Sequence, residues 1–303
     1  MQDLRRLRII IFSILINCVC SHVSADIACM TWNMKWFPSG RRNLRLSESE
    51  ELKRIKEAGS VISSSFNEIK VESENIIVCI QEVRDALICS NIVASSGVKG
   101  LKVSSVSNFK DKTGIPLWQQ TAIFSTLPIV ESGYSPWHPS EIVELPRGFS
   151  YAVFELNENQ MIVCFSLHLK SNLNFAGTEL VHQENILKRE MSAKQILDEV
   201  KRFRKKYGDN LRVLVAGDFN TSEDDYSYVS EATLRSFYGA HYRSCFSGIK
   251  KDRRITCPGN GRYEDATFDY VLYKGFGKRK DIKIFNGLGI SDHNPVALSL
   301  SLE

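Results

Sequence analysis

Two stretches of this chain end an apolar run on groups that can move protons. Leu214-Val-Ala-Gly-Asp218-Phe-Asn220 sets a carboxylate and a carboxamide two residues apart, and Ile290-Ser-Asp292-His293-Asn-Pro-Val296 sets a carboxylate beside an imidazole. A carboxylate can take a proton from water, a carboxamide can hold that water, and an imidazole can donate to a leaving oxygen. Together these groups suit the hydrolysis of a phosphoester.

Other apolar runs stop in the same way. Asn33 follows residues 27–32, Glu82 follows 76–81, His168 follows 161–167, and Asp269 falls inside Ala266-Thr-Phe-Asp-Tyr-Val-Leu272. A lone buried carboxylate or imidazole is costly, so a series of them at strand ends implies shared partners or a cation.

The elements that must position these groups are short β-branched runs alternating with two long helical patterns. Strands are expected over 27–32, 75–80, 101–106, 121–124, 150–156, 161–167, 211–215, 267–272, 282–285 and 295–300, and helices over 49–69 and 179–206. In the second helix Leu180, Ile186, Leu187, Met191, Ile196, Leu197, Val200 and Phe203 keep a helical stripe that Gly208 ends. Ten strands are too many for one simple parallel sheet, so two packed sheets with helices outside are expected.

The chain's 303 residues bound the organisation. Arg5, Arg6 and Arg8, an apolar stretch over 9–20 and Val23-Ser-Ala25 read as a signal peptide over 1–25, leaving a single domain over 26–303 that is secreted or periplasmic. The expected mature chain carries 36 basic and 34 acidic residues, a net charge of +2 too small to argue for nucleic acid alone. Basic clusters at 201–206, 250–254 and 274–283 are solvated faces or a track for phosphates. Cys29, Cys79 and Cys164 read as small buried hydrophobes, no CxxC spacing suggests zinc, and Cys245 and Cys257 flank a loop that a disulfide could pin.

The ordered set TWN (31–33), QEV (81–83), SLHLKS (166–171), AGDFN (216–220), FDY (268–270) and SDHNPV (291–296) resembles the endonuclease/exonuclease/phosphatase superfamily, whose best-known members are DNase I-like nucleases. Gln81-Glu-Val-Arg-Asp85 looks like the DNase I version of the metal-binding element, while Trp118-Gln-Gln-Thr121, Leu145-Pro-Arg-Gly148 and His168-Leu-Lys-Ser171 look like exported bacterial relatives. The resemblance implies an α/β fold, a four-layer α/β/β/α sandwich of two mixed β-sheets. It also implies roles. Glu82 with Asn33 would hold Mg²⁺, or Mn²⁺ or Ca²⁺, since hard oxygen donors suit these ions. Asp292 would help order the metal or its loop. Asp218 would act as general base, Asn220 would hold the water or donate to the phosphoryl oxygen, and His168 and His293 would face the scissile phosphate from two sides, with Asp269 behind His293. Related enzymes give the first histidine a glutamate partner where this chain reads Gln119-Gln120, so His168 is expected to titrate lower and activity to favour less alkaline pH. Arg84 matches a position that touches nucleic-acid backbone, with a surface salt bridge as its alternative; Lys170 and Asn172, just after His168, are candidates for phosphate contact.

The expected function is a monomeric secreted nuclease that hydrolyses DNA and leaves 5′-phosphate ends. Two alternatives stand beside it. A sphingomyelin or phospholipid phosphodiesterase would need an apolar, membrane-dipping hairpin, for which the loop from Tyr134 to Ser140 offers only Trp137. An inactive phospho-ligand or host-protein binding module would have no need of Asp218, Asn220, His168 and His293 together.

Overall fold

The computed structural model describes residues 26–302, apart from 43, 70–73, 158–159, 174–176, 262 and 288, so the expected signal peptide over 1–25 lies outside the described residues. Among the described residues, twelve strands form two six-stranded sheets. The first sheet holds β1 (Ile27–Phe37), β2 (Ile76–Val83), β3 (Lys102–Val106), β4 (Gln120–Ser125), β11 (Arg279–Ile284) and β12 (Val296–Leu300), in the order β11-β12-β1-β2-β4-β3. The second holds β5 (Ile129–Pro136), β6 (Gly148–Asn157), β7 (Gln160–His168), β8 (Arg212–Asp218), β9 (Arg243–Ser244) and β10 (Asp269–Lys274), in the order β5-β6-β7-β8-β10-β9. Helices α1 (Glu48–Glu68), α2 (Ala86–Ser96), α3 (Glu179–Tyr207) and α4 (Thr233–Gly239) complete the sandwich.

Each sheet contains one parallel pair. β1 and β2 are parallel and joined through α1, and β7 and β8 are parallel and joined through α3; every other pairing is antiparallel. A parallel pair needs a crossover of this kind. Helix α1 starts at Ser47, which accepts from Glu50 N while the Glu50 carboxylate accepts from Ser47 N, a capping box. Helix α3 buries Ile196, Val200 and Phe203 against the second sheet, where Phe203 meets Tyr151 and Phe165. Burying each such side chain contributes about 1.5–3 kcal/mol.

Alternation along the central strands creates a graded interior. On β1 the inward positions are Cys29, Thr31 and Asn33, on β2 Cys79 and Gln81, and on β7 Cys164, Ser166 and His168, while Ala28, Met30 and Trp32 pack outward among the residues of α1 and α2. Cys79 and Cys164 touch across the sheets at 3.4 Å, and one step along Gln81 Nε2 donates to Ser166 Oγ while Thr31 Oγ1 donates to Gln81 Oε1. Beyond that layer stand Asn33, His168 and Asp218. The interior therefore passes from hydrocarbon through thiols and neutral hydrogen-bonding groups to charge.

Three expectations change here. Cys245 and Cys257 are not joined: all six described cysteines are free thiols, Cys245 lies in the core accepting from Val271 N, and Cys257 pairs by backbone with Ala266. Trp137 is 5% exposed and packs on Phe149, and Tyr134–Pro136 belong to a paired strand, so this segment is no membrane-dipping hairpin. β5, β9, α2 and α4 were not foreseen; β5 has an exposed edge that blurs its pattern, α2 is too evenly apolar to show a stripe, and β9 and α4 are only two and seven residues long.

Candidate active site

The carboxyl ends of both parallel pairs open onto one cleft of about 790 Å³, the place where open α/β sheets bind ligands. β7 and β8 end in register at His168 and Asp218, and Asp269 begins β10 opposite Asp218. β2 carries Glu82 on a bulge with φ of 58°, which breaks its register with β4 and turns the side chain into the cleft. β1 is bulged as well, between Asn33 and Phe37.

Asn33 joins the two halves. Its Nδ2 donates to Glu82 Oε1 at 3.2 Å and to Asp218 Oδ2 at 2.9 Å, so groups far apart in the chain meet on one amide. Glu82 Oε2 accepts from Trp36 N at 3.1 Å. His168 Nε2 lies 3.6 Å from both Glu82 Oε1 and Asp218 Oδ2, and His293 Nε2 lies 3.9 Å from Asp218 Oδ2. On its far side His293 Nδ1 meets Asp269 Oδ2 at 2.8 Å. The His293 loop is fixed from behind, since Trp32 Nε1 donates to the His293 carbonyl and Ser291 Oγ to that of Asn33.

Burial and charge set the protonation states. Desolvation raises the Asp218 carboxyl to about 7 against the opposing influence of His293. For His293, burial alone would disfavour the cation, but Asp269 and Asp218 outweigh it and hold the imidazole well above its ordinary range. His168 goes the other way: burial, then Arg147, His293 and Lys170, push it well below that range. Lys170 drops to about 8, mainly through burial and then through Arg147, Lys188 and Arg189.

The cleft floor fits a hard divalent cation by its donors. Glu82 and Asp218 are buried carboxylates that share one neutral amide, and Asp292 stands exposed at the rim, paired with Lys35 Nζ at 2.6 Å. Oxygen donors with excess negative charge suit Mg²⁺, Mn²⁺ or Ca²⁺. Asp218, Asp269 and His293 also cluster within 4.8 Å, but Asp269 is engaged with His293 Nδ1, an arrangement that orients the imidazole.

Several expected contacts resolve differently. Arg84 is held by Glu51 at 2.7 and 3.0 Å and by Asp85 at 2.8 Å, and it does not line the cleft. Asn172 donates to the Asn220 carbonyl and to Tyr228, bracing the loop below the cleft, whereas Lys170 lines it. Asn220 keeps its place: its N–H donates to Asp218 Oδ1 and its Nδ2 to the Leu169 carbonyl. Gln120 does not reach His168, because its amide is spent on Ser107, Phe109 and Leu117, and His168 Nδ1 is left without a partner. Gln119 instead accepts from Arg147 Nη1. The basic clusters do not line the cleft; Lys201, Arg202, Lys206 and Arg254 pair with neighbouring carboxylates.

Among the cleft residues that were not foreseen, two carry charge next to the site's own groups. Arg147 reaches over His168, donating to the carbonyls of His168 and Leu169 while its buried Nε has no partner; its signal was the Leu145-Pro-Arg-Gly148 segment. Lys35 follows the TWN motif, and only the bulge in β1 brings it to Asp292.

The model of the Endonuclease/Exonuclease/phosphatase family matches residues 30–293. No curated protein matches the chain. Among solved structures, TDP2 from C. elegans superposes with a TM-score of 0.60 at 16% identity, over 91% of this chain and 75% of that one. An endonuclease/exonuclease/phosphatase family protein from Bacteroides thetaiotaomicron gives 0.61 at 16% identity, over 92% and 98%, and one from Beutenbergia cavernae gives 0.61 at 16%, over 92% and 72%. At such identities the likeness is one of fold.

Proposed function

This chain belongs to the endonuclease/exonuclease/phosphatase family, and on that premise we propose that it is an exported, divalent-metal-dependent phosphodiesterase that hydrolyses DNA to leave 5′-phosphate ends. The observation that carries the reading is the meeting of Glu82 and Asp218 on the Asn33 amide, with two imidazoles within 4 Å of Asp218.

Glu82 and Asp292 would hold the cation, with Asn33 positioning Glu82 through its Nδ2, and the cation would supply charge to offset that growing on the phosphoryl oxygens. Asp218, ionised above about pH 7 in the cation-free protein, takes the proton of the attacking water, and the Asn220 loop sets that water's place. His293, kept protonated by Asp269, donates to the phosphoryl group from one side. His168 faces it from the other side as a neutral imidazole, and positive charge there comes from Arg147 and Lys170.

The test uses protein beginning at Asp26, offered supercoiled plasmid, single-stranded DNA, RNA and sphingomyelin vesicles, each with Mg²⁺ and with chelator. Plasmid nicking that requires metal, Asp218 and His293 is the expected result. Choline-phosphate release with DNA untouched, or no turnover of any substrate, would overturn it.

A further inference from the structure

The cleft is polar at its floor, and its rim mixes apolar side chains with charged ones such as Arg42, Lys35 and Asp292. Asn33, Glu82, His168 and Asp218 are each less than 9% exposed, whereas Ile115 and Leu173, which line the same cleft, are 62% and 46% exposed. Between floor and rim stand two half-buried indoles, Trp36 and Trp118. The chain's other two tryptophans, Trp32 and Trp137, are buried in the core.

The backbone holds one of these indoles in place under strain. Lys35 and Trp36 have φ of 47° and 49°, a left-handed conformation in two consecutive bulky residues, which ordinary strands avoid. It is maintained by Lys35 N donating to Asn33 Oδ1 and Trp36 N donating to Glu82 Oε2. Such strain persists where surrounding contacts impose it, and it clusters at binding sites. Here it presents Trp36 to the cleft beside the carboxylate expected to hold the cation.

Trp118 lines the cleft as well. It also lines a second hollow of about 300 Å³ whose wall includes Leu44, Arg45, Leu46 and Arg84. Arg45, exposed at that hollow, adds a positive charge beside Trp118.

Resting on the phosphodiesterase reading, we propose that this cleft selects single-stranded nucleic acid, with an unpaired base beside the scissile phosphate stacked on Trp36 or Trp118. Indole faces bind bases of any identity by stacking, and basic groups along the path follow the backbone. In a duplex the faces of each base are covered by its neighbours, and exposing one requires unpairing it. A recess of about 790 Å³ falls in the range of small-molecule pockets, roughly 300 to 1,000 Å³, so it has room for a nucleotide.

The full chain from Asp26 is titrated in chelator with a single-stranded oligodeoxynucleotide and with the same strand in a duplex, following tryptophan fluorescence. Hydrolysis of both, and of bis(p-nitrophenyl) phosphate, is then measured with Mg²⁺. Single strand is expected to quench fluorescence and bind at least about tenfold tighter than duplex. Trp118→Ala or Trp36→Ala should lose about tenfold in affinity, and in KM more than kcat, while the corresponding Phe variant retains most of both. Equal or tighter duplex binding, or unchanged affinity in both Ala variants with their melting temperatures intact, overturns the proposal. Hydrolysis of bis(p-nitrophenyl) phosphate without strand preference sinks this inference alone; hydrolysis of none of the three sinks the phosphodiesterase reading and this inference with it.

Discussion

Asp218 does two opposing things at once. As a base it must be ionised, so with Mg²⁺ limiting, kcat/KM should fall as pH drops below about 7, and the fall should move to lower pH as Mg²⁺ is raised. A pH–rate profile flat from 5 to 8 would contradict this. For stability the sign reverses. The unfolded carboxyl ionises near 3.8 while the folded one holds its proton to about 7, so the contribution is complete below 3.8 and is lost as pH rises through 7. Asp218→Asn should therefore lower the rate by about 10² to 10⁴. It should also raise the melting temperature of cation-free protein at pH 8 by roughly 2–4 °C, the effect of about 1 kcal/mol. Asp269→Asn tests the partner: His293 would lose its counter-ion, and activity should drop most at alkaline pH, where the imidazolium is hardest to keep. Lys35→Ala would free Asp292 of its ammonium, so calorimetry should show Mn²⁺ binding severalfold tighter, with unchanged affinity as the contrary result.

Among the elements, strand ends were legible and loops were not. An apolar run that stops at a carboxylate marks both a strand and its mouth, so Glu82, His168 and Asp218 could be placed from sequence together with the strands beneath them. Gln120 could not, because which way a buried amide turns depends on carbonyls contributed by a loop, here those of Phe109 and Leu117. Gln120 Nε2 donates to two carbonyls, so Gln120→Glu would set a carboxylate against them. That substitution should cost about 1–3 kcal/mol, read as loss of melting temperature, in place of the altered pH profile expected from a His168 partner. Arg84 takes the salt bridge that stood as its alternative, for a related reason, since only the packing of α1 brings Glu51 to it. Arg189 on α3 makes the same case for a buried pair: it meets Glu231 bidentately and donates to the Lys170 carbonyl. Arg189→Ala leaves Glu231 buried without its cation, which should cost about 3–5 kcal/mol by denaturant unfolding.

At the scale of the whole molecule, the two-sheet sandwich was legible because period-two alternation and strand count leave few other ways to bury so many strands. Its cysteine chemistry was not, since spacing along the chain cannot tell that Cys245 is enclosed while Cys257 sits in a separate bridge. Unreduced protein from Asp26 should give six reactive thiols in denaturant; four would restore one disulfide. The graded interior has a further bearing on motion. Sheets sealed by hydrocarbon at one end and by exchangeable hydrogen bonds at the other part more readily at the wetter end, so amide deuteration should run fastest around Gln81 and Ser166 and slowest around Cys29 and Ile77. A divalent ion seated between Glu82 and its neighbours would clasp that looser end, and the contrast in deuteration should shrink when Mg²⁺ is added.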